Sequence, residues 1–591
     1  MAKLSSRPMV YSKRDRHWRP LTWKQVGTRV RDTARGLCAL DLSPGERVAI
    51  LSASSVEWVI ADLGALSMGT VDVAISETAC ESDIIYILKN SGSRAAFVGD
   101  QRLLDMVIRS HTELDDLALV ILMHGTNVPA SVPPDLRIMT QLQLEKLGRE
   151  HTDEAVIDER INAIEPGDLM TLIYTSGTTG QPRGVMITHQ NMLSNCDACS
   201  RAIPIHTDDI LLSFLPLSHS FERMAGYYLP VLFGGATIYY ARGIDTLMRD
   251  LSDVRPTLMT GVPRVFETLY SRIRLEAFQH DPVRRYLFNH AVAVGRRMSQ
   301  QRAPSRFAGQ VLGWQYRLIR NRLFASIRAA FGGRIRLFVS GGAPLSKDIA
   351  SFFFATGILV LEGYGLTEAS PVVSVNRADA FRFGTVGRPL DNVRVRLAAD
   401  GEILVKGPNV MEGYWLDERA TEEAVEDSGW LSTGDIGVLE RDGFLRITDR
   451  KKDLFKDTGG RYIAPQKLEG TMREDPFIDQ AVVLGDGRPC CVALITPNLG
   501  ALERWCERQG LQFENSDDLF SQAEVDALFS KRIKRVNARL ARHEAIRAFH
   551  VVSTPFSTEN TQLTPSLKVR RAAVSKAYSA EIEAMYVSLD N

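Results

Sequence analysis

No charge of either sign is in excess. Lys plus Arg and Asp plus Glu both number 71, for a net charge of +0. A chain without a basic surplus gives no electrostatic argument for a nucleic-acid partner. No apolar run reaches the ~18 residues that a membrane-spanning helix requires. The opening MAKLSSRPMVYSKRDRHW carries basic residues but not the apolar stretch of a secretory signal, so no such signal is expected. Cysteine is sparse and odd in number, 7 in 591 residues, at positions 38, 80, 196, 199, 490, 491 and 506. That usage argues against a disulfide framework and suits a reducing, cytoplasmic setting. Cys196 and Cys199 form a single CxxC. No second CxxC or Cys/His pair completes a zinc site, so two helix-borne cysteines are expected. The 11 histidines contain no HExxH and no metal-ligand cluster.

What is present reads as a large soluble α/β protein. Hydrophobic content is 45% and charged content 24%, and the length exceeds what one hydrophobic core serves. LTWKQVGTRVRDTARGLCAL repeats apolar residues at helical spacing, RVAILSA is a short buried strand, and VEWVIADLGALSMG is a helix ending at Gly69. ILLSFLPL, GATIYY, RIRLFVSGGA and ILVLEGYG are further apolar runs that end in Gly or polar turns. Alternating strands and helices predict layered, largely parallel sheets, with ligands gathered at the carboxyl ends of the strands. From residue 390 to 448 the pattern becomes alternating, with hairpin signals at Asp400-Gly401 and Asp442-Gly443, which predicts a small antiparallel layer. DRKKD marks a boundary. The expected organisation is a large N-terminal unit over 1–449 and a smaller α+β unit over 450–591. In the latter, AVVLGDGRPCCVALITPN forms two strands and a helical stretch runs to about 547.

The tract IYTSGTTGQPRGVMITH (173–189) leads from an apolar strand into Thr, Ser and Gly, then a basic residue. No Gly-Lys-Ser/Thr follows, so it is not a P-loop. Gly177 and Gly180 permit close approach to an anion, and successive backbone N–H groups can form an anion-binding nest. Thr175, Ser176, Thr178 and Thr179 add hydroxyl donors, and Arg183 adds a guanidinium suited to phosphate. Read alone, the tract fits either a phosphate cradle or a flexible Ser/Thr/Gly surface loop.

Other segments follow in order: GYGLTE (363–368), GTVGRP (384–389), GEILVKGPNVMEGYW (401–415), WLSTGD (430–435), DRKKDLFKDTGGRYIAP (449–465) and LTPSLKVRR (563–571). With YTSGTTGQPRGV, this series resembles the acyl-adenylate-forming superfamily of acyl-CoA synthetases, luciferases and adenylation domains. LPLSHSFER (215–223), RPTLMTGVPRVFETLYSRI (255–273) and TENTQLTPSLKVRR narrow the resemblance to long-chain fatty acyl-CoA synthetases. The resemblance implies a two-step reaction that consumes ATP, a fatty acid and CoA, with Mg²⁺ as cofactor. It further implies that the C-terminal unit rotates between the two half-reactions.

By the same resemblance, Glu368 and Thr175 bind Mg²⁺, and Thr367 hydrogen-bonds the α-phosphate. Tyr364 and Gly365 lie at the adenine, with Gly341, Gly342 and Ala343 beside the nucleotide. Asp435 takes both ribose hydroxyls and Arg450 the ribose or phosphate. Lys568 reaches the carboxylate and α-phosphate oxygens, Lys452 is the hinge, and Gly459 and Gly460 flank the pantetheine channel. His219 lies near the acyl entrance, where it steers substrate or thiol or is a hydrogen-bonded core histidine. Phe221, Tyr227 and Tyr228 are candidates for the mouth of the acyl tunnel.

Three departures qualify the resemblance. Relatives place Lys where this chain has Gln181 and Arg183. Asp457 stands in the CoA-side loop, an acid that needs a partner such as Arg461. Some bacterial relatives carry a gating Trp at the position of Arg223, so gating by an indole is not expected here. From 284 to 336 there are twelve Arg and no acid, with Leu312, Tyr316, Ile319, Leu323 and Ile327 on one helical stripe and Arg317, Arg322 and Arg328 away from it. This segment is either a packed helix with a solvated basic face or a peripheral contact with anionic lipid. Two other functions stay open: loading an acyl carrier protein from the same adenylate, and non-catalytic binding of an acyl adenylate. Chain length and oligomeric state are not legible.

Overall fold

The protein is described by a computed structural model covering residues 4–14, 17–125, 132–151, 153–175, 181–241, 243, 246–278, 286, 290, 292–293, 324–451, 453–513, 516–557, 560–563 and 569–590. Ser176, Gly177, Thr178, Thr179, Gly180, Lys452 and Lys568 lie outside the described residues, as do Leu312, Tyr316, Arg317, Ile319, Arg322 and Leu323.

Two large sheets dominate the first part of the chain. In one, the strands Leu169–Thr175, Val71–Ile75, Arg47–Leu51, Ser93–Val98, Leu119–Leu122 and Arg137–Thr140 run parallel in that spatial order. Arg183–Thr188 and the two-residue strand Gly413–Tyr414 add to the Leu169 side antiparallel. The other sheet has a parallel run of Leu359–Gly365, Leu337–Ser340, Leu258–Gly261, Ile210–Ser213, Thr237–Tyr240 and Pro8–Arg14, with antiparallel strands at both ends. Successive side chains of a strand point to opposite faces. Val48 and Ile50 therefore join the core shared by both sheets, while Ala49 and Leu51 join a second core on the outer face. The shared core also holds Trp58 and Ile60 of helix Val56–Leu66 and Met192 and Cys196 of helix His189–Ala202. The second sheet buries its outer face against Phe266, Phe352 and Phe353.

The antiparallel layer expected over 390–448 is formed by Arg394–Leu397, Glu402–Lys406, Leu431–Leu439 and Leu445–Arg450. Its hairpins turn at Gly401 and Gly443, with φ of +86° and +85°. Gly413–Tyr414, inside the same sequence region, leaves this layer for the first large sheet.

After residue 453 a three-stranded sheet of Ile478–Leu484, Cys491–Pro497 and Ile546–Val551 packs against helices Pro465–Arg473, Leu499–Gln509 and Ala523–Asn537, with its own two cores. The long helical stretch expected here ends earlier than predicted. Ile546–Val551 is a strand that pairs parallel with Cys491–Pro497. Its six residues lean on tertiary pairing rather than local pattern, which is why the helix reading overran it.

Candidate active site

A cleft of about 2100 Å³ runs between the two large sheets, the antiparallel layer and the C-terminal unit. Its wall is assembled at the carboxyl ends of parallel strands. Leu169–Thr175 delivers Thr175, Leu337–Ser340 delivers Gly341, Gly342 and Ala343, and Leu359–Gly365 delivers Tyr364, Gly365, Thr367 and Glu368.

Helix His189–Ala202 sets the positions of the last group. It begins with a capping box between Thr188 and Asn191, and its polar face is used as a clamp. Asn195 Nδ2 donates to Val372 O at 2.7 Å and its Oδ1 accepts from Val372 N at 3.1 Å. Asn191 Nδ2 donates to Pro408 O and Val410 O at 2.8 and 3.0 Å, and Asn409 Nδ2 donates to Ala369 O at 2.9 Å. The turn carrying Thr367 and Glu368 is thereby pinned between this helix and segment 408–411. Gly365 is required by space, since a Cβ there would stand 1.9 Å from Pro371 O.

Within the cleft, half-buried Glu368 accepts a hydrogen bond from Tyr414 Oη at Oε1, 2.9 Å. Thr367 Oγ1 lies 3.0 Å from Ser220 Oγ. Thr175 pairs in register with Arg183 across the foot of the Ser/Thr/Gly tract. Arg183 is exposed, sits over the Tyr414 ring at 5.5 Å and faces Asp417 at 3.4 Å. Asp435, 4% exposed, accepts from Tyr364 Oη at 2.7 Å and from Arg450 Nε at 2.9 Å. Burial and the adjacent Asp435 carboxylate push the Tyr364 phenol well above its ordinary value; Asp435 also holds Arg450 firmly protonated. Beside Lys452, Lys451 binds Asp400 and Glu402 at 2.6 and 2.7 Å, and Glu402 Oε1 accepts from Gly434 N at 2.9 Å. Tyr414 and Glu402 were not anticipated as site residues. Both belong to the quoted 401–415 segment, but only the fold brings them to the cleft.

The C-terminal unit closes one side. Leu563 and Val569, which flank the segment containing Lys568, line the cleft with Arg570 and Arg571. Arg570 lies 3.8 Å from Asp83, Arg264 3.1 Å from Asp479 and Arg473 3.6 Å from Glu267, so ion pairs cross between the units. Gly459 and Gly460 are exposed on the hairpin between Phe455–Lys456 and Tyr462–Ile463, and Gly460 has φ +75°. They do not line the cleft in this arrangement. Asp457 is paired as its spacing suggests. Arg461 N and Nε donate to its carboxylate at 2.9 and 2.8 Å, and these bonds hold the carboxyl below the usual range.

An apolar stretch of the same wall carries Cys199, Ile203, Met224, Ala225, Leu229 and Leu258. His219 and Phe221 also line the cleft, and Phe221 N approaches His219 Nδ1 at 3.3 Å. Tyr227 and Tyr228 do not. Residues Glu222–Gly234 wind as a wide π-helix containing Pro230, which turns Met224, Ala225 and Leu229 toward the cleft and Arg223, Tyr227 and Tyr228 away from it. Both tyrosines donate to Asp62, at 3.0 and 2.9 Å, in the core between the sheets. Arg223 is fully buried there. It donates to Tyr228 Oη and Thr171 Oγ1 at 3.0 and 2.9 Å, pairs with Asp62 at 2.5 Å and with Asp72, and lies over the Trp58 ring. The expectation of tyrosines at an acyl entrance is corrected by this cluster. Cys196 and Cys199 are buried on helix His189–Ala202, and burial pushes the Cys199 thiol up to about 12. Of the basic segment, Arg328 donates to Thr356 O at 3.2 Å and Arg336 to Asp209 at 2.7 Å, both within the fold.

Among the described residues no three His, Cys, Asp or Glu side chains gather as a metal site, and no helix is long and apolar enough to cross a membrane. Glu368, one of several carboxylates that line the cleft, fits a hard cation that would take its remaining oxygens from a ligand and water.

Residues 2–415 match the family model for AMP-binding enzyme, and residues 453–590 match that for the AMP-binding enzyme C-terminal domain. The chain belongs to the AMP-binding enzyme family. It is 34% identical over 575 residues to a long-chain-fatty-acid–CoA ligase of Mycobacterium bovis, covering 96% of this chain and 92% of that one. A long chain acyl-CoA synthetase (peroxisomal) of Arabidopsis thaliana is 31% identical, with coverages of 96% and 82%. Among solved structures, the fold is similar to the adenylation domain of a carboxylate reductase from Mycobacterium chelonae, with a TM-score of 0.77, 22% identity and coverages of 99% and 90%. It is also similar to an anthranilate CoA ligase in complex with anthranoyl-AMP, with a TM-score of 0.73, 18% identity and coverages of 99% and 96%.

Proposed function

We propose that this AMP-binding enzyme is an ATP-dependent long-chain fatty acid:CoA ligase. The observation that carries the proposal is a cleft whose lining holds both the charged set Glu368, Arg183, Asp435 and Arg450 and the apolar set Cys199, Ile203, Met224, Ala225, Leu229 and Leu258. Such a cleft suits a nucleotide at one end and an acyl chain at the other. The named relatives, aligned over nearly the whole chain, support the same reading.

A carboxylate is a poor acyl donor because oxide would have to leave. In the first step a carboxylate oxygen bonds to the α-phosphorus of ATP and the bond to pyrophosphate breaks. In the second, the sulfur of CoA bonds to the acyl carbon and AMP departs. Catalysis of this kind is mostly positioning and electrostatics. Arg183, with Thr175 and the tract 176–180, would hold the β- and γ-phosphates, and Thr367 the α-phosphate. Glu368 would hold Mg²⁺, which would neutralise phosphate charge. Tyr364 and Gly341 to Ala343 would border the adenine. Asp435 retains lone-pair capacity for ribose hydroxyls beyond its bonds to Tyr364 and Arg450. Lys568, between cleft-lining Leu563 and Val569, would follow the charge moving from substrate oxygen to phosphate. Rotation of the C-terminal unit at Lys452 would then exchange Lys568 for the hairpin of Gly459 and Gly460 at the thiol path. This requires breaking the Arg570–Asp83, Arg264–Asp479 and Arg473–Glu267 pairs. The first two are partly exposed, and such pairs are each worth about 1 kcal/mol or less, whereas Glu267 in the third is mostly buried.

The test supplies ATP, Mg²⁺ and a panel of carboxylic acids with and without CoA, and measures AMP and thioester. Long-chain acids should give both products only when CoA is present. AMP without thioester would favour loading of a carrier protein, and neither product with any acid would favour a non-catalytic binding module. The arginine-rich segment 284–336 is proposed to contact anionic lipid. Sedimentation with anionic liposomes should fall as salt is raised, and an absence of salt-sensitive binding would remove that part of the reading.

A further inference from the structure

Tyr414 touches both charged poles of the cleft. Its hydroxyl donates to Glu368 Oε1 at 2.9 Å, and its ring lies 5.5 Å from the Arg183 guanidinium carbon. The side chain is held from several directions. Gly413 and Tyr414 pair with Met186 and Val185, Tyr414 N donates to Thr421 Oγ1 at 2.9 Å, and Asp417 N donates to Tyr414 O at 3.2 Å. On either side, Met411 N donates to Glu368 O at 2.9 Å and Trp415 N to Gly184 O at 2.8 Å. Segment 411–417 is therefore stitched to the Glu368 turn at one end and to the Arg183 strand at the other. Gly413 permits this because a Cβ there would meet Thr421 Cγ2 at 2.6 Å.

A carboxylate that must take a hard cation has two oxygens and a freely turning terminal bond. A donor fixed on one oxygen orients the other, and partners of this kind are worth roughly 10–100-fold in metal affinity. We propose that Tyr414 is a positioning residue of the nucleotide site, orienting Glu368 for the divalent cation that accompanies ATP and tying that carboxylate to Arg183 on the anion side. The inference rests on the nucleotide reading given above.

Binding of a non-hydrolysable ATP analogue, titrated calorimetrically with Mg²⁺ and with EDTA, separates the two roles. Wild-type protein should bind more tightly with Mg²⁺. In Tyr414→Phe, which keeps the ring, the Mg²⁺-dependent gain should shrink by about tenfold, while affinity in EDTA stays within about twofold of wild type. Tyr414→Leu, which also removes the ring beneath Arg183, should weaken binding in EDTA by a further factor of about three. In a Glu368→Gln background, Tyr414→Phe should change nothing. A Tyr414→Phe protein with the full wild-type Mg²⁺ gain overturns this proposal alone. A wild-type protein that shows no Mg²⁺-dependent binding overturns it together with the nucleotide reading.

Discussion

Two clusters in this molecule use the same three residue types, a carboxylate, a tyrosine and an arginine, to opposite ends. In the core between the sheets, Asp62, Asp72, Tyr227, Tyr228 and Arg223 are buried and saturate most of one another's bonds, although Asp72 Oδ1 is left without a partner. In the cleft, Tyr414 bonds to Glu368 and lies under Arg183, which also faces Asp417, and all three cluster members remain partly open to solvent. The first cluster joins helix Val56–Leu66, strand Val71–Ile75 and the π-helix. The second has capacity left for a ligand. Closure, rather than residue type, separates a structural tie from a binding site. The electrostatics agree: burial pushes the Asp72 carboxyl up to about 6 against the pull of Arg223.

The largest expected effect comes from breaking the closed cluster. Arg223→Met strands two carboxylates in the core and should cost about 3–5 kcal/mol, seen as a lower thermal midpoint and poor soluble yield. Adding Asp62→Asn and Asp72→Asn should restore most of that loss. A single variant that melts like the wild type would mean that the cluster is not a tie.

Lys568→Ala should touch the open site only. Adenylate formation should fall by at least about 100-fold with the melting midpoint unchanged. Thioester formation from supplied acyl-AMP should stay within about threefold if the lysine serves only the first half-reaction, as proposed. Equal loss in both half-reactions would contradict alternation of the C-terminal unit.

The smallest effect concerns Glu222, on the cleft wall beside the closed cluster. Burial pushes this carboxyl up to about 7 despite hydrogen bonds from Ser213 and Thr260. Because the folded state binds this proton more tightly than the unfolded chain, stability should fall as pH rises from about 4.5 to about 7. Asp72 and Glu362, pushed up to about 6 and about 8, contribute with the same sign. Glu222→Gln removes only its own share. Relative to the variant, the wild type should therefore lose about 1–3 kcal/mol between pH 5 and pH 8. Parallel stability curves for the two proteins would contradict the assignment.

Much of this comparison was visible only on one side in the sequence. Arg183 ends a tract whose composition already suggests an anion site, Glu368 and Asp435 stand in contiguous segments that carry the family resemblance, and the hairpins at Asp400-Gly401 and Asp442-Gly443 announce themselves locally. The Asp457–Arg461 pair follows from a spacing of four. Arg223 was legible only as the absence of an indole. Its partners Asp62, Asp72 and Thr171 are distant in sequence, and local pattern carries no signal for such a meeting. The direction of Tyr227 and Tyr228 was not legible, because a π-helix has no local sequence pattern that assigns its faces. Tyr414 was read as part of a motif, but a two-residue strand is too short for any periodicity to place it beside Glu368.

Fatty-acid-dependent exchange of labelled pyrophosphate into ATP tests the central claim most directly, with Glu368→Gln run beside the wild type. The account predicts exchange in the wild type that requires both Mg²⁺ and a long-chain acid, and a loss of at least about 100-fold in the variant at an unchanged melting midpoint. Exchange that persists undiminished in Glu368→Gln, or that no carboxylic acid elicits from the wild type, would contradict it.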